Sequence, residues 1–179
     1  MSRATTRVYI RPPAPADEQE FTSVMRASRN FHKPWATAPT DAGRFAAYLE
    51  DNGRRDFEAF LVCRLSDDAI VGFFNISQIF YRSFQSAYLG YAAAEEYAGQ
   101  GYMKEGIQLV LRVAFIELKL HRLEANIQPE NHVSIALARG AGFRREGFSP
   151  RYLKIAGRWR DHERWALLAD EWRALHGVT

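Results

Sequence analysis

Strand-like and helix-like patterns alternate irregularly along this chain, with no internal repeat, low-complexity tract or linker between them, and that arrangement predicts one α+β domain. Length agrees, because 179 residues lie within the range of a single domain and suffice to bury roughly two thirds of the unfolded chain's surface. Composition agrees as well: 47% hydrophobic and 25% charged residues belong to an ordinary globular protein. The expected unit spans residues 1–179.

Val8 to Arg11 reads as a short strand that stops at Pro12-Pro13, where proline offers no N–H to a ladder. A helix follows, in which Asp17 can act as cap, Glu20 completes a capping-box pattern, and Phe21, Val24 and Met25 form the apolar stripe. Pro34-Trp35 and Pro39 make a rigid loop, after which Thr40 opens a second helix with the stripe Phe45, Tyr48 and Leu49. Phe57 to Arg64 and Ile70 to Phe80 are β-branched and aromatic runs separated by Ser66-Asp67-Asp68, the pattern of an antiparallel hairpin, and Ala87 to Ala92 adds a third strand. The strongest helix runs from Tyr102 to Leu118, with Ile107, Val110, Leu111, Ala114, Phe115 and Leu118 on one face. In the strand Arg122 to Ile127, Leu123, Ala125 and Ile127 share one face, with Glu124 and Asn126 on the other. Asn131 caps a short helix that ends at the Gly140 and Gly142 breaks, and the strands Tyr152 to Ile155 and Trp159 to Leu168 close the chain through Ala156-Gly157.

The single cysteine, Cys63, has no partner for an internal disulfide and sits in an apolar run, which suits strand packing in a reducing cytoplasm. No stretch approaches the ~18 apolar residues of a membrane span, and Met1 to Arg7 is too polar for a signal peptide, so neither membrane crossing nor secretion is expected. Twenty-four basic against 21 acidic residues give a net charge of +3, a mild excess. The basic stretches at Arg144-Arg145 and Arg158 to Arg164 are interrupted by acids, so no direct nucleic-acid contact is expected.

The most informative segment is Tyr88 to Glu105, a strand, a glycine turn and the start of the long helix. Gly99 and Gly101 let backbone N–H groups approach an anion while the helix N-terminus adds its dipole; the same glycines also suit a plain turn or helix cap. A dinucleotide fingerprint needs a small residue where Lys104 stands, and a P-loop needs Lys-Ser/Thr where Ile107-Gln108 follow Gly106, so neither nucleotide motif fits.

The strand Ala87 to Ala92, the turn Gly99-Gln100-Gly101-Tyr102-Met103-Lys104-Glu105, then Arg122 to Asn126, Asn131 to Ser134 and Gly142 to Gly147 together resemble the GNAT superfamily of N-acetyltransferases. Within it, Phe31 to Trp35, Ser83 to Tyr91 and Gly157 to His162 resemble the RimJ-like branch that acetylates the N-terminal alanine of ribosomal proteins. The resemblance covers nearly the whole chain. It implies a GNAT fold, a mixed, mostly antiparallel sheet splayed in the middle with helices on both faces, and acetyl-coenzyme A as cosubstrate with no metal. Two positions depart from the pattern: Glu96 stands where relatives carry Gln or Arg, and Ala138 where many carry a tyrosine general acid.

What the resemblance implies residue by residue is as follows. Backbone N–H groups from Tyr97 to Met103, with Gly99, Gln100, Gly101 and Tyr102 between them, would cradle the pyrophosphate. N–H groups at Tyr91 and Ala92, freed where that strand splays from Arg122 to Ile127, would bind the pantetheine arm and polarise the thioester carbonyl. Asn131 would contact the pantetheine amides or cap its helix, and Ser134 would hydrogen-bond the departing thiolate or satisfy a helix N-terminus. Phe31, His32, Trp35, Phe80, Tyr81 and Tyr152 would wall the acceptor groove or pack their loops. An N-terminal α-amine, with a pKa near about 8 against roughly 10.4 for lysine, needs little help to become neutral, and only Glu124 and His162 offer themselves as bases. The implied acceptor is a protein N-terminus bearing alanine or serine; alternatives are a small amine such as an aminoglycoside, polyamine or amino acid, or a non-catalytic acyl-coenzyme A-binding module. A monomer or homodimer is expected.

Overall fold

The computed structural model describes residues 6–177. The elements in chain order are β1 (Val8–Arg11), α1 (Glu18–Ala27), α2 (Arg29–His32), α3 (Ala42–Asn52), β2 (Phe57–Arg64), β3 (Ile70–Phe80), β4 (Ser86–Ala93), α4 (Tyr102–Arg112), β5 (Arg122–Ile127), α5 (His132–Gly140), β6 (Arg144–Ile155), β7 (Arg158–Leu168) and α6 (Ala169–His176). The seven strands form one sheet in the order β1-β2-β3-β4-β5-β7-β6, antiparallel throughout except at β4/β5.

Strand alternation sends one set of side chains to each face, and each face collects its own core. Phe60, Val62, Phe74 and Ile76 meet Ile107, Val110 and Leu111 of α4 together with Leu123, Ala125 and Ile127 of β5. Ala59, Leu61, Cys63 and Phe73 point the other way, onto Phe21 and Met25 of α1 and Phe45 and Tyr48 of α3. Gly106 brings α4 close to the sheet: a Cβ there would lie 3.0 Å from Val62 and 3.2 Å from Phe74. Cys63 is fully buried, and burial pushes its thiol up from the ordinary value, as suits a packing residue.

Several local expectations are corrected. Asp17 does not cap α1 with its side chain; its carboxylate grips Arg11 and accepts from the Ala14 N–H at 2.7 Å, within a short turn over Pro15–Asp17. Glu20 makes no capping box either, since its carboxylate accepts the Ile70 N–H at 2.8 Å and ties α1 to the β2/β3 hairpin. Asp41 rather than Thr40 caps α3, accepting from the Arg44 N–H at 2.9 Å. The long helix changes pitch after Arg112, and Val113–Glu117 forms a wider π turn closed by Leu118 N–H on the Val113 carbonyl. β6 begins at Arg144, eight residues before Tyr152, because its polar first half pairs with the buried stretch of β7. α6 lay outside the sequence reading: it is short and chiefly buries Ala169 and Trp172, the latter against Phe115. Residues 1–5, on which much of the expectation about a signal peptide rests, lie outside the described residues. Among the described residues no helix is long and apolar enough to cross a membrane.

Candidate active site

The site arises where the sheet comes apart. β4 and β5 pair in parallel only at Ser86/Arg122, Ala87/Leu123 and Tyr88/Glu124; beyond them β5 stays with β7 while β4 stays with β3. The Ala94 N–H bonds the directly opposite Val71 carbonyl at 2.9 Å, which fixes the phase of the β3/β4 ladder. Hydrogen-bonded pairs recur at every second residue, so Ala92 is tied to Phe73 while the N–H and C=O groups of Tyr91 and Ala93 face into the wedge. The Ala93 carbonyl accepts there from His32 Nε2, at 2.7 Å. Of the two strand amides expected to be free, Tyr91 qualifies and Ala92 does not. The wedge opens into a cleft of about 460 Å³.

At the α4 end the cleft meets the glycine turn. Gly99 and Gly101 have φ of +75° and +86°, which side-chain-bearing residues rarely adopt. The helix has no side-chain cap at Gly101, and its first internal bond is Glu105 N–H to the Gly101 carbonyl, so the amides of Tyr102, Met103 and Lys104 lack intrahelical acceptors. Tyr97 and Ala98 N–H groups already bond the Ala94 and Glu95 carbonyls, so the expected cradle narrows to Gly99 through Met103. Tyr97 instead lines the cleft with its ring, edge-on to Tyr102. Gln100 is turned away: its side chain donates to the Glu96 carbonyl and its own carbonyl accepts from Arg7. Arg7 also reaches Glu105 and lies over the Tyr102 ring, clamping the turn from behind. Lys104, assigned no role from the sequence, lines the cleft and brings a positive charge to the uncapped amides.

The far wall comes from α5. Asn131 accepts the Ser134 N–H at 3.2 Å and is the helix cap, so the Ser134 hydroxyl is not what caps α5. Tyr91 donates its hydroxyl to the Ser134 carbonyl at 3.1 Å, and burial pushes it up to about 12, so it stays protonated near neutral pH. Ala138 is fully buried on the inner face of α5.

At the opposite mouth Phe31, His32 and Trp35 line the cleft, and Gln128 donates to the Trp35 carbonyl at 3.2 Å. His162 lines it as well: Nδ1 donates to the Arg160 carbonyl at 2.9 Å and burial lowers its pKa, which favours a neutral ring with Nε2 unprotonated. Glu124, the other base considered, is held by Arg122 at 2.7 Å and does not line the cleft. Tyr152 borders an adjoining groove of about 270 Å³ shared with Ser77, Gln78, Tyr88 and Leu153. Phe80 and Tyr81 border neither space; they stand half-exposed at the β3/β4 turn, with Phe80 packed on Phe84. Asn126 and Gln128 also line the cleft, although neither residue type nor spacing assigns them a role from the sequence. The one available signal was a polar residue on the face of a short strand that leaves its neighbour, which alternation alone does not identify.

Residues 7–144 match the family model of the acetyltransferase (GNAT) domain. The probable N-acetyltransferase YjcK of Bacillus subtilis (strain 168) is 32% identical over 90% of this chain and 93% of its own. The ribosomal protein uS5 alanine N-acetyltransferase of Escherichia coli (strain K12) is 28% identical over 94% of this chain and 91% of its own. Among solved structures, Mycobacterium smegmatis RimJ in complex with CoA-disulfide superposes with a TM-score of 0.82 at 26% identity, covering 96% of this chain and 90% of that one.

Proposed function

This chain belongs to the GNAT acetyltransferase family and is an acetyl-coenzyme A-dependent N-acetyltransferase; from that premise we propose that it acts as one domain whose acceptor is a protein N-terminal α-amine, with alanine or serine first. One observation carries the choice of acceptor: among the described residues no carboxylate lines either the cleft or the adjoining groove. A polyamine or aminoglycoside carries several ammonium groups, whose desolvation requires fixed negative charges. An N-terminus brings one amine that sheds its proton near pH 8 or about there, and such a site need only exclude water around it. Similarity to the uS5 alanine N-acetyltransferase supports the same choice.

The uncapped amides from Gly99 to Met103, with Lys104, suit a pyrophosphate. The cosubstrate, when bound, supplies the activated acetyl thioester. The Tyr91 N–H is directed to polarise its carbonyl. The amine nitrogen bonds to the carbonyl carbon, the C–S bond breaks with its electron pair on sulfur, and the nitrogen's proton passes to solvent or to His162 Nε2. The Ser134 hydroxyl, not engaged in capping, donates to the thiolate. Phe31, His32 and Trp35 shield the attacking amine.

Purified protein with acetyl-coenzyme A should acetylate Ala- and Ser-initiated peptides at the α-amine, located by fragmentation mass spectrometry, faster than spermidine or an aminoglycoside. Turnover of the polycations alone, or acetylation confined to lysine side chains, would overturn the reading.

A further inference from the structure

Asn126 is the first residue past the β4/β5 split whose side chain shares the polar face with Glu124, and it borders both the cleft and the adjoining groove. Its Oδ1 is buried and accepts no hydrogen bond among the described residues. Buried side-chain acceptors are almost always satisfied, so an orphan at the junction of two cavities marks a place where a donor arrives from outside the chain. The acceptor amine has to pass that junction to reach a thioester held along β4. Charged and titratable groups around it are few: Arg164 and His162 on β7, Tyr152 on β6, Tyr88 on β4, and Glu124, which Arg122 neutralises.

We propose that Asn126 docks the acceptor amine, its Oδ1 receiving one N–H so that the nitrogen lone pair faces the thioester carbonyl. This rests on the α-amine reading above. An amide suits the task better than a carboxylate. A neutral oxygen accepts from an uncharged amine as well as from an ammonium, whereas a carboxylate would stabilise the ammonium, raise the amine's pKa and hold back the nucleophile.

The test uses the full chain, acetyl-coenzyme A and an Ala-initiated peptide, with Asn126→Leu and Asn126→Asp. Asn126→Leu should lower kcat/KM for the peptide by about 30-fold, leave calorimetric affinity for acetyl-coenzyme A within about twofold, and leave the melting temperature no lower than wild type, because it removes an unsatisfied buried acceptor. Asn126→Asp should move the kcat/KM profile about one pH unit to the alkaline side, a shift that a merely structural role would not produce. If Asn126→Leu fails to fold, Asn126→Ser replaces it under the same criteria. Unchanged peptide kinetics in a folded variant, or an unmoved pH profile in Asn126→Asp, overturns the proposal. Spermidine is run in parallel. Wild type using spermidine but not the peptide removes the α-amine reading, and Asn126 is then judged by the same ratios on spermidine.

Discussion

The two mouths of the cleft are built differently. At the α4 end, one stretch from Gly99 to Lys104 presents backbone amides around two glycines at positive φ, with no side-chain cap. At the opposite end, side chains converge from α2, β5, β6 and β7, with Phe31 and His162 separated by most of the chain. On the proposed function the first mouth recognises charge through backbone geometry, and it should then tolerate Glu96 in place of a donor as long as the turn keeps its shape. On the same proposal the second recognises an acceptor through side-chain identity, so a few substitutions there should change the substrate without touching the fold.

The sharpest way to break that contrast is Gly101→Val. A β-branched side chain cannot hold φ of +86° without strain, and its Cβ would sit 3.2 Å from Arg7 Nη2. Losing two charge-assisted amide contacts, at about 1.5 to 3 kcal/mol each, should weaken acetyl-coenzyme A about 100-fold or more, measured by calorimetry on protein shown to be folded by circular dichroism. Unchanged affinity in folded protein would remove the backbone cradle.

Ser134→Ala comes next, with kcat expected to fall about 10- to 100-fold and KM for acetyl-coenzyme A little changed, since help to a departing thiolate acts in the transition state. Because Asn131 caps α5, the same variant should lose less than about 0.5 kcal/mol of stability. A fully active Ser134→Ala protein would leave the hydroxyl without a chemical role.

Arg7→Ala tests whether the cofactor mouth depends on side chains at all. Its pair with Glu105 is half-exposed and worth about 0.2 to 1 kcal/mol, so affinity for acetyl-coenzyme A should drop only about two- to fivefold. A loss as large as that of Gly101→Val would show that the clamp, not the amides, holds the phosphates.

The smallest effect concerns His162 at the acceptor mouth. Burial lowers its pKa below the ordinary 6.5, so the unfolded chain binds a proton there before the native state does. The stability it contributes is complete above about pH 6.5 and is lost as pH falls toward and through the lowered value. The melting temperature should therefore fall between pH 7.5 and about 5.5, and His162→Gln should flatten part of that fall. Identical slopes for the two proteins would place the acid sensitivity over that range in another group.

Much of the fold was legible because it rests on short-range pattern. The alternation in Phe57–Arg64 and Ile70–Phe80, and the spacing of Ile107, Val110, Leu111 and Phe115, survive in the structure because burial of one face decides them. Caps were read less well. Asp17 and Glu20 have the right types at the right spacing, but a guanidinium from β1 and an amide from β3 compete for their carboxylates and win.

The sequence by itself determined the glycine turn, the helix behind it and the Asn131 cap, since positive φ, periodicity and capping are properties of a few neighbouring residues. Only the tertiary structure decided which amides remain open, because the β3/β4 register shifts between Ser77 and Phe80 and the end of the β4/β5 pairing depends on residues as far apart in the chain as Ser86 and Arg122. The same holds for the acceptor mouth. Phe80 and Tyr81 carry the chemistry of a groove wall and stand outside it, while Asn126 and Gln128 gain their place because a sheet that splits exposes whatever side chains lie beyond the last shared pair.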